Sequence, residues 1–200
     1  MDYFGKMIGG PNADLVILSF LCQTDCGISE FQKELRSLGE ELNFTRDINS
    51  NGPWRDSHED GQLESDGHCP SSIIGSLGDI QPQVELDWPV NPGEAEALRQ
   101  VAVELKEIAD QLEHSVVAQA TQNLSRSLSN SPMTWKQLLA LEVEWAVRQG
   151  PYVGLEHLPQ ERIIVALTLT LVKGVCERAP RLLRDLFTAA LQYISPAMAR

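Results

Sequence analysis

The chain has 200 residues, 42% of them hydrophobic and 22% charged, which suits one soluble domain built around one core. A formal net charge of −12 excludes the basic footprint that phosphate backbones require, so nucleic acid is not an expected partner. No apolar run approaches the roughly 20 residues that span a bilayer, and the starting state is therefore expected to be soluble.

Charge is unevenly placed. Residues 1 to 66 hold 5 Lys/Arg against 13 Asp/Glu, a net of −8, whereas residues 162 to 200 hold six basic side chains against Glu177 and Asp185. The front is acidic and the C-terminal end is locally cationic. Leu15 to Cys22 could pass for a signal-peptide core, but Asp2 and Asp14 precede it and no small-residue cleavage site follows. It reads as an amphipathic first helix. Phe31, Leu35, Leu38 and Leu42 recur at i, i+4, i+7 and i+11, one apolar face of a second helix. From Asn43 to about Val90 no apolar period is sustained, and Asn49-Ser50-Asn51-Gly52-Pro53 and Pro70-Ser71-Ser72 are loop chemistry. A structureless stretch of that length inside a domain is either functional or disordered, and both are expected here.

Helix resumes at Asn91-Pro92-Gly93-Glu94, where Asn suits the cap, Pro the first turn and Glu a capping box, and is expected to continue to about Val116. Weaker helical segments follow around Leu124 to Leu128 and from Met133 to Val147, the latter stopped by Gly150-Pro151. Ile163 to Val172 is apolar except for Thr168 and Thr170, so it belongs in the middle of the fold. After Ala179-Pro180, Leu182, Leu183, Leu186, Phe187, Ala190, Leu191 and Ile194 form a broad stripe opposite Arg181, Arg184 and Gln192. The expected architecture is all-α: a single domain over residues 1–200, with a central apolar hairpin ringed by amphipathic helices and a flexible loop over 43–90 between the second and third helices.

Chemistry-bearing side chains are sparse. Cys22, Cys26, Cys69 and Cys176 lack metal-ligand spacing and read as reduced thiols of a cytosolic protein. His58, His68, His114 and His157 stand at no recognisable distance from a nucleophile or paired acid, and there is no Gly-rich phosphate loop. Neither a catalytic residue, a metal nor a cofactor is expected.

On the helix after Asn91, Leu98, Val101, Leu105, Ile108 and Leu112 are spaced 3, 4, 3 and 4. Any helix packed on a core shows such a seam. What narrows the field is Ala109, small enough to let the backbone approach a groove wall, followed by Asp110, an acid at the rim that can pair with a receptor cation. Leu105-Lys106-Glu107-Ile108-Ala109-Asp110 resembles the BH3 motif of the Bcl-2 family, with Ala109 where that family usually has Gly. Phe31 to Leu42 and Pro180 to Phe187 resemble the second helix and the last central helix of a BH3-only member, in the same order and spacing.

The resemblance implies a Bcl-2-like helical bundle whose BH3 helix spans 98–116. Val101, Leu105, Ile108 and Leu112 would fill groove pockets, and Asp110 would meet a receptor arginine. It further implies a pro-apoptotic ligand, not an enzyme. Such a ligand is latent in the cytoplasm until an initiator caspase cuts its loop; it then moves to the anionic mitochondrial outer membrane to activate Bax and Bak and to bind anti-apoptotic relatives such as Bcl-xL. Outer-membrane permeabilisation and cytochrome c release would follow.

Leu63-Glu64-Ser65-Asp66-Gly67 has the form initiator caspases favour, although an acidic Asp-Gly turn fits the same residues. The resemblance points to cleavage after Asp66, with Asp79 a second, poorer site. Ser57 and Ser65 lie among acids that suit casein-type kinases, or are solvated serines without a role. A cut before Gly67 would expose Gly67-His68-Cys69-Pro70-Ser71, a possible myristoylation end with Cys69 as a speculative palmitoylation site; equally, Gly67 is the small residue a protease wants. The alternatives are a groove-bearing Bcl-2-like receptor, opposed by the lack of an Asn-Trp-Gly-Arg segment and of a C-terminal apolar anchor, and an unrelated helical scaffold or enzyme, for which no convergent polar pocket is visible.

Overall fold

The computed structural model describes residues 3–23, 29–42, 92–149 and 154–198. These residues form eight α-helices and no strand: α1 (Tyr3–Ile8), α2 (Ala13–Cys22), α3 (Ser29–Glu41), α4 (Pro92–Gln111), α5 (His114–Asn130), α6 (Trp135–Gln149), α7 (Gln160–Arg178) and α8 (Leu183–Met198), with a 3-10 turn at Pro180–Leu182 before the last. The expected loop between the second and third sequence-predicted helices lies outside the described residues.

α7 is the axis. It packs against α2, α4, α5, α6 and α8, so almost every face of it meets protein. The sequence anticipates this by supplying only threonines as polar side chains from Ile163 to Val172. Their hydroxyls return to the helix's own backbone: Thr168 Oγ1 donates to the Ile164 carbonyl at 2.7 Å and Thr170 Oγ1 to that of Ala166 at 2.6 Å. Thr168 can thus be fully buried without an unsatisfied hydroxyl. Where α5 crosses α7, Gly174 faces Thr121, and a Cβ there would meet Thr121 Cγ2 at 3.0 Å, so the glycine sets how closely the helices approach.

Three differences from the sequence reading have physical causes. α2 is not amphipathic: Leu15, Val16, Ile17, Leu18, Phe20 and Leu21 are all buried, because α1, α3, α4, α7 and α8 surround it. A helix apolar all round belongs inside a core. α1, unanticipated, adds Phe4, Met7 and Ile8 to the same core. The third predicted helix stops at Gln111, well short of Val116, and the chain restarts at His114. At the break the Leu112 N–H donates to the Ala109 carbonyl at 3.2 Å, Glu113 turns extended (φ −66°, ψ 117°), and Ser115 Oγ donates to the Glu113 carboxylate at 2.6 Å. This sharp turn lets Leu112 stay buried while α5 sets off across α7.

The apolar hairpin is asymmetric. α7 is enclosed, whereas α8 keeps Arg184, Asp185, Thr188 and Gln192 on an exposed face and buries Leu183, Leu186, Phe187, Ala190 and Ile194 on the other. Cys22 and Cys176 are free thiols, and burial pushes both up to about 12, so they stay neutral at physiological pH.

Leu167→Ala, emptying a site enclosed by the bundle, is expected to cost ~2–5 kcal/mol in denaturant unfolding. Leu141→Ala, on a side chain already half exposed on α6, should stay within ~0.5 kcal/mol of the parent.

Candidate partner-binding helix

α4 has the composition that makes a two-sided helix: one apolar residue every three or four positions, with Glu, Arg, Gln and Lys between them. Leu98, Val101, Leu105, Ile108 and Leu112 are all buried, Leu98 and Leu105 completely. They face α2 on one side and α7 on the other. Ala102, four residues after Leu98 and three before Leu105, is fully buried in the same seam. Sequence reasoning missed it, although the spacing was there to see. Ala109 is partly buried at the seam's margin, and Asp110 is exposed. The rest of the outward face carries Glu96, Arg99, Gln100, Glu107 and Val103, the last an apolar exception at 46% exposure.

The acid of the motif is therefore open to solvent while its apolar anchors are sealed inside. In this conformation a partner can reach Asp110 and Val103 but none of the six seam residues. Binding through the seam demands that α4 part from both α2 and α7.

Polar ties at the rim hold α4 in place. Asn12 Nδ2, just before α2, donates to Glu94 Oε1 at 2.8 Å, so the Glu expected in a capping box bonds across the bundle. Arg162, in the first turn of α7, reaches Glu104 Oε2 at 3.2 Å and places its guanidinium 4.6 Å from the centre of the Phe4 ring. Arg184 of α8 pairs with Glu41 Oε2 at 2.7 Å and donates to Ser37 Oγ at 2.9 Å, tying α3 to the C-terminal helix. None of these pairs follows any sequence period, because they join segments 58 to 147 residues apart.

Ser57, Ser65, Asp66, Gly67, Cys69 and Asp79 lie outside the described residues. Among the described residues no three His, Cys, Asp or Glu side chains are placed to hold a metal ion, and no helix is long and apolar enough to cross a membrane.

The described residues define an all-helical bundle with a BH3-like helix packed face-inward against a nearly polar-free axial helix. The sequence model of the BH3 interacting domain (BID) family matches residues 11–200, and the chain belongs to that family. It is an interaction protein and not an enzyme. It is 27% identical over 139 residues to the BH3-interacting domain death agonist of Gallus gallus, an alignment covering 68% of this chain and 65% of that protein. It is 24% identical over 195 residues to the protein of the same name from Mus musculus, covering 96% of this chain and 88% of the relative. No solved structure matches the chain.

Because Leu105 is enclosed and Asp110 is not, the two motif residues should separate in stability. Leu105→Ala is expected to lower the unfolding free energy of the whole chain by ~2–5 kcal/mol, and Asp110→Ala to change it by less than ~0.5 kcal/mol, in urea titrations followed by circular dichroism.

Proposed function

We propose that the chain is a latent pro-apoptotic ligand, freed to act when a protease cuts between α3 and α4, and that it acts by giving the α4 seam to the groove of a Bcl-2 relative. The observation that carries this reading is the order of cover and ligand along the chain. α2 lies on α4, yet residues 43–91 separate α3 from α4, so one cut puts α2, one of the seam's two covers, on a different polypeptide from the ligand, while α7 stays with it. The partners are Bax, Bak and survival relatives such as Bcl-xL; the protease is an initiator caspase cutting after Asp66, with Asp79 secondary.

Cutting alone does not undo the packing. α2 buries six large apolar side chains, each contributing ~1.5–3 kcal/mol. Losing a tether of millimolar effective concentration removes only about 4 kcal/mol. The cut chain stays assembled until a groove or a bilayer competes for its apolar faces.

A membrane is a suitable competitor. The departing piece carries a net −8, and with it goes Glu41, so Arg184 loses its counter-ion in a stretch of sequence that also holds Lys173, Arg178 and Arg181. The remaining fragment then offers a cationic end to the anionic lipid of the mitochondrial outer membrane. The new terminus Gly67, with Ser71 four residues on, suits myristoylation, and Cys69 a second acyl chain. One myristoyl group binds with K of about 10⁴ M⁻¹, so the cationic α7–α8 region supplies the further attraction. Phosphate on Ser65 or Ser57 would set negative charge beside the scissile bond and slow the cut. Permeabilisation of the outer membrane and release of cytochrome c are the downstream consequence of engaging Bax and Bak.

Treating the pure chain with an initiator caspase and mass-mapping the products should give a break after Asp66 that Asp66→Ala abolishes; continued cutting at that bond refutes the site. With N-myristoyltransferase and labelled myristoyl-CoA present, the cut parent should take up label and Gly67→Ala should not.

Groove binding is measured on a peptide spanning Asn91 to Val117, where packing in the bundle plays no part. Leu105→Ala should lose ~2–4 kcal/mol of affinity for Bcl-xL by emptying a pocket, and Asp110→Ala a comparable amount by leaving a receptor cation unpaired. Unchanged affinity of either peptide refutes that residue's role.

A further inference from the structure

The short helix α1 falls outside the part of the chain that matches the family, which begins at residue 11. Six residues are too few to hold a helix in water by themselves, so α1 exists because it is docked. Phe4, Met7 and Ile8, at i, i+3 and i+4, present one apolar face and are all buried, while Lys6 stays exposed. The backbone of α1 rests on α2 and α8. Its Phe4 side chain goes further and lines a small crevice with Ala97, Gln100, Val101, Glu104 and Arg162. Four of these, Ala97, Gln100, Val101 and Glu104, belong to the middle of α4, Val101 being an anchor of the seam and Glu104 its ion-paired tie to α7.

We infer that residues 3–10 are a strap that locks the stretch of α4 from Ala97 to Glu104 in the bundle, with Phe4 as its catch and Arg162 as the keeper. Arg162 joins three elements at once: it bonds Glu104 of α4, covers the Phe4 ring of α1, and is itself part of α7. Phe4 covers one side of the Arg162 guanidinium while Glu104 meets it from another, so ring and carboxylate hold one cation between them.

The strap is also built to open. Three buried side chains have to offset the ordering of eight residues, a near balance. It swings on Gly9-Gly10: the Gly9 N–H donates to the Gly5 carbonyl at 2.8 Å, and a Cβ on Gly10 would stand 2.5 Å from the Lys6 carbonyl oxygen, a backbone atom that cannot give way. Only glycine allows α1 to fold back at this point. The inference deepens the proposed latency, since the strap would control how readily the seam is released, but the closure itself is independent of any partner.

Hydrogen exchange on the full, uncut chain tests the closure without invoking a groove or a protease. Phe4→Ala removes the catch, and Gly10→Ala displaces the strap without deleting any core side chain. In both variants, amides of residues 97–104 should exchange about tenfold faster than in the parent, along with those of residues 5–10, while α6 keeps the parent's rate. Unchanged exchange at 97–104 in both variants overturns the strap, and an equal rise in α6 overturns it too, as general loosening. A second arm measures the rate at which Bcl-xL captures the uncut chain, expected to rise several-fold with Phe4→Ala. Failure of the exchange arm rejects the strap; parent-like capture of a chain whose exchange has risen rejects its control of the seam. The isolated 91–117 peptide lacks Phe4, so its failure to bind Bcl-xL rejects the ligand reading of α4 alone.

Discussion

One face of one helix fills the core of the bundle, and on the proposed function the same face is also the one given to a partner's groove. Leu98, Val101, Ala102, Leu105, Ile108 and Leu112 are core residues of the described fold. The same 3-4 spacing that fills a groove also fills the trough between α2 and α7, because both surfaces are built to receive an apolar helical seam. On that proposal, latency requires no separate inhibitor. The fold competes for the seam directly, and its grip scales with how much apolar surface α2 and α7 bring.

The size of that grip explains why the polar ties are at the rim and are few. Exposed pairs such as Arg184–Glu41 contribute ~0–1 kcal/mol each, and they fix register more than they stabilise. Apolar burial supplies the bulk. The net charges of the two prospective fragments, −8 and −4, repel only weakly at physiological salt, where screening acts over about 8 Å. On the proposed function, separation of α2 from α4 is therefore decided by competition for apolar faces, and electrostatics would decide which surface the freed fragment meets first.

How much of this was legible in the sequence depended on whether the signal was local. The face of α3 was readable because Phe31, Leu35 and Leu38 repeat at helical spacing, and the enclosure of α7 because its polar gaps hold only threonines that can bond their own backbone. The seam of α4 was readable for the same reason. The break at Leu112–Glu113 was not, since neither Gly nor Pro marks it and the turn is imposed by α5 crossing α7. The start of α6 had a readable signature that periodicity alone overlooked: Thr134 and Gln137 exchange bonds as a capping box, Gln137 N–H to Thr134 Oγ1 at 3.4 Å and Thr134 N–H to Gln137 Oε1 at 3.1 Å.

α1 and α2 show the limit from the other side. Leu15 to Leu21 offers no polar face, so periodicity cannot say which side of α2 is buried, and the answer is nearly all of it. A helix surrounded in this way must have every neighbour supplied, and α1 supplies one that the matched span of the family does not include. Phe4, Met7 and Ile8 are too short a run to read as a helix, and Gly9-Gly10-Pro11 reads as a terminus fraying into loop. The turn is instead a close approach of backbone on backbone, with Gly10 against the Lys6 carbonyl. What converts six unremarkable residues into structure is Arg162, more than 150 positions away, whose guanidinium needs both an acid and a ring to be held half-buried and finds them on α4 and α1.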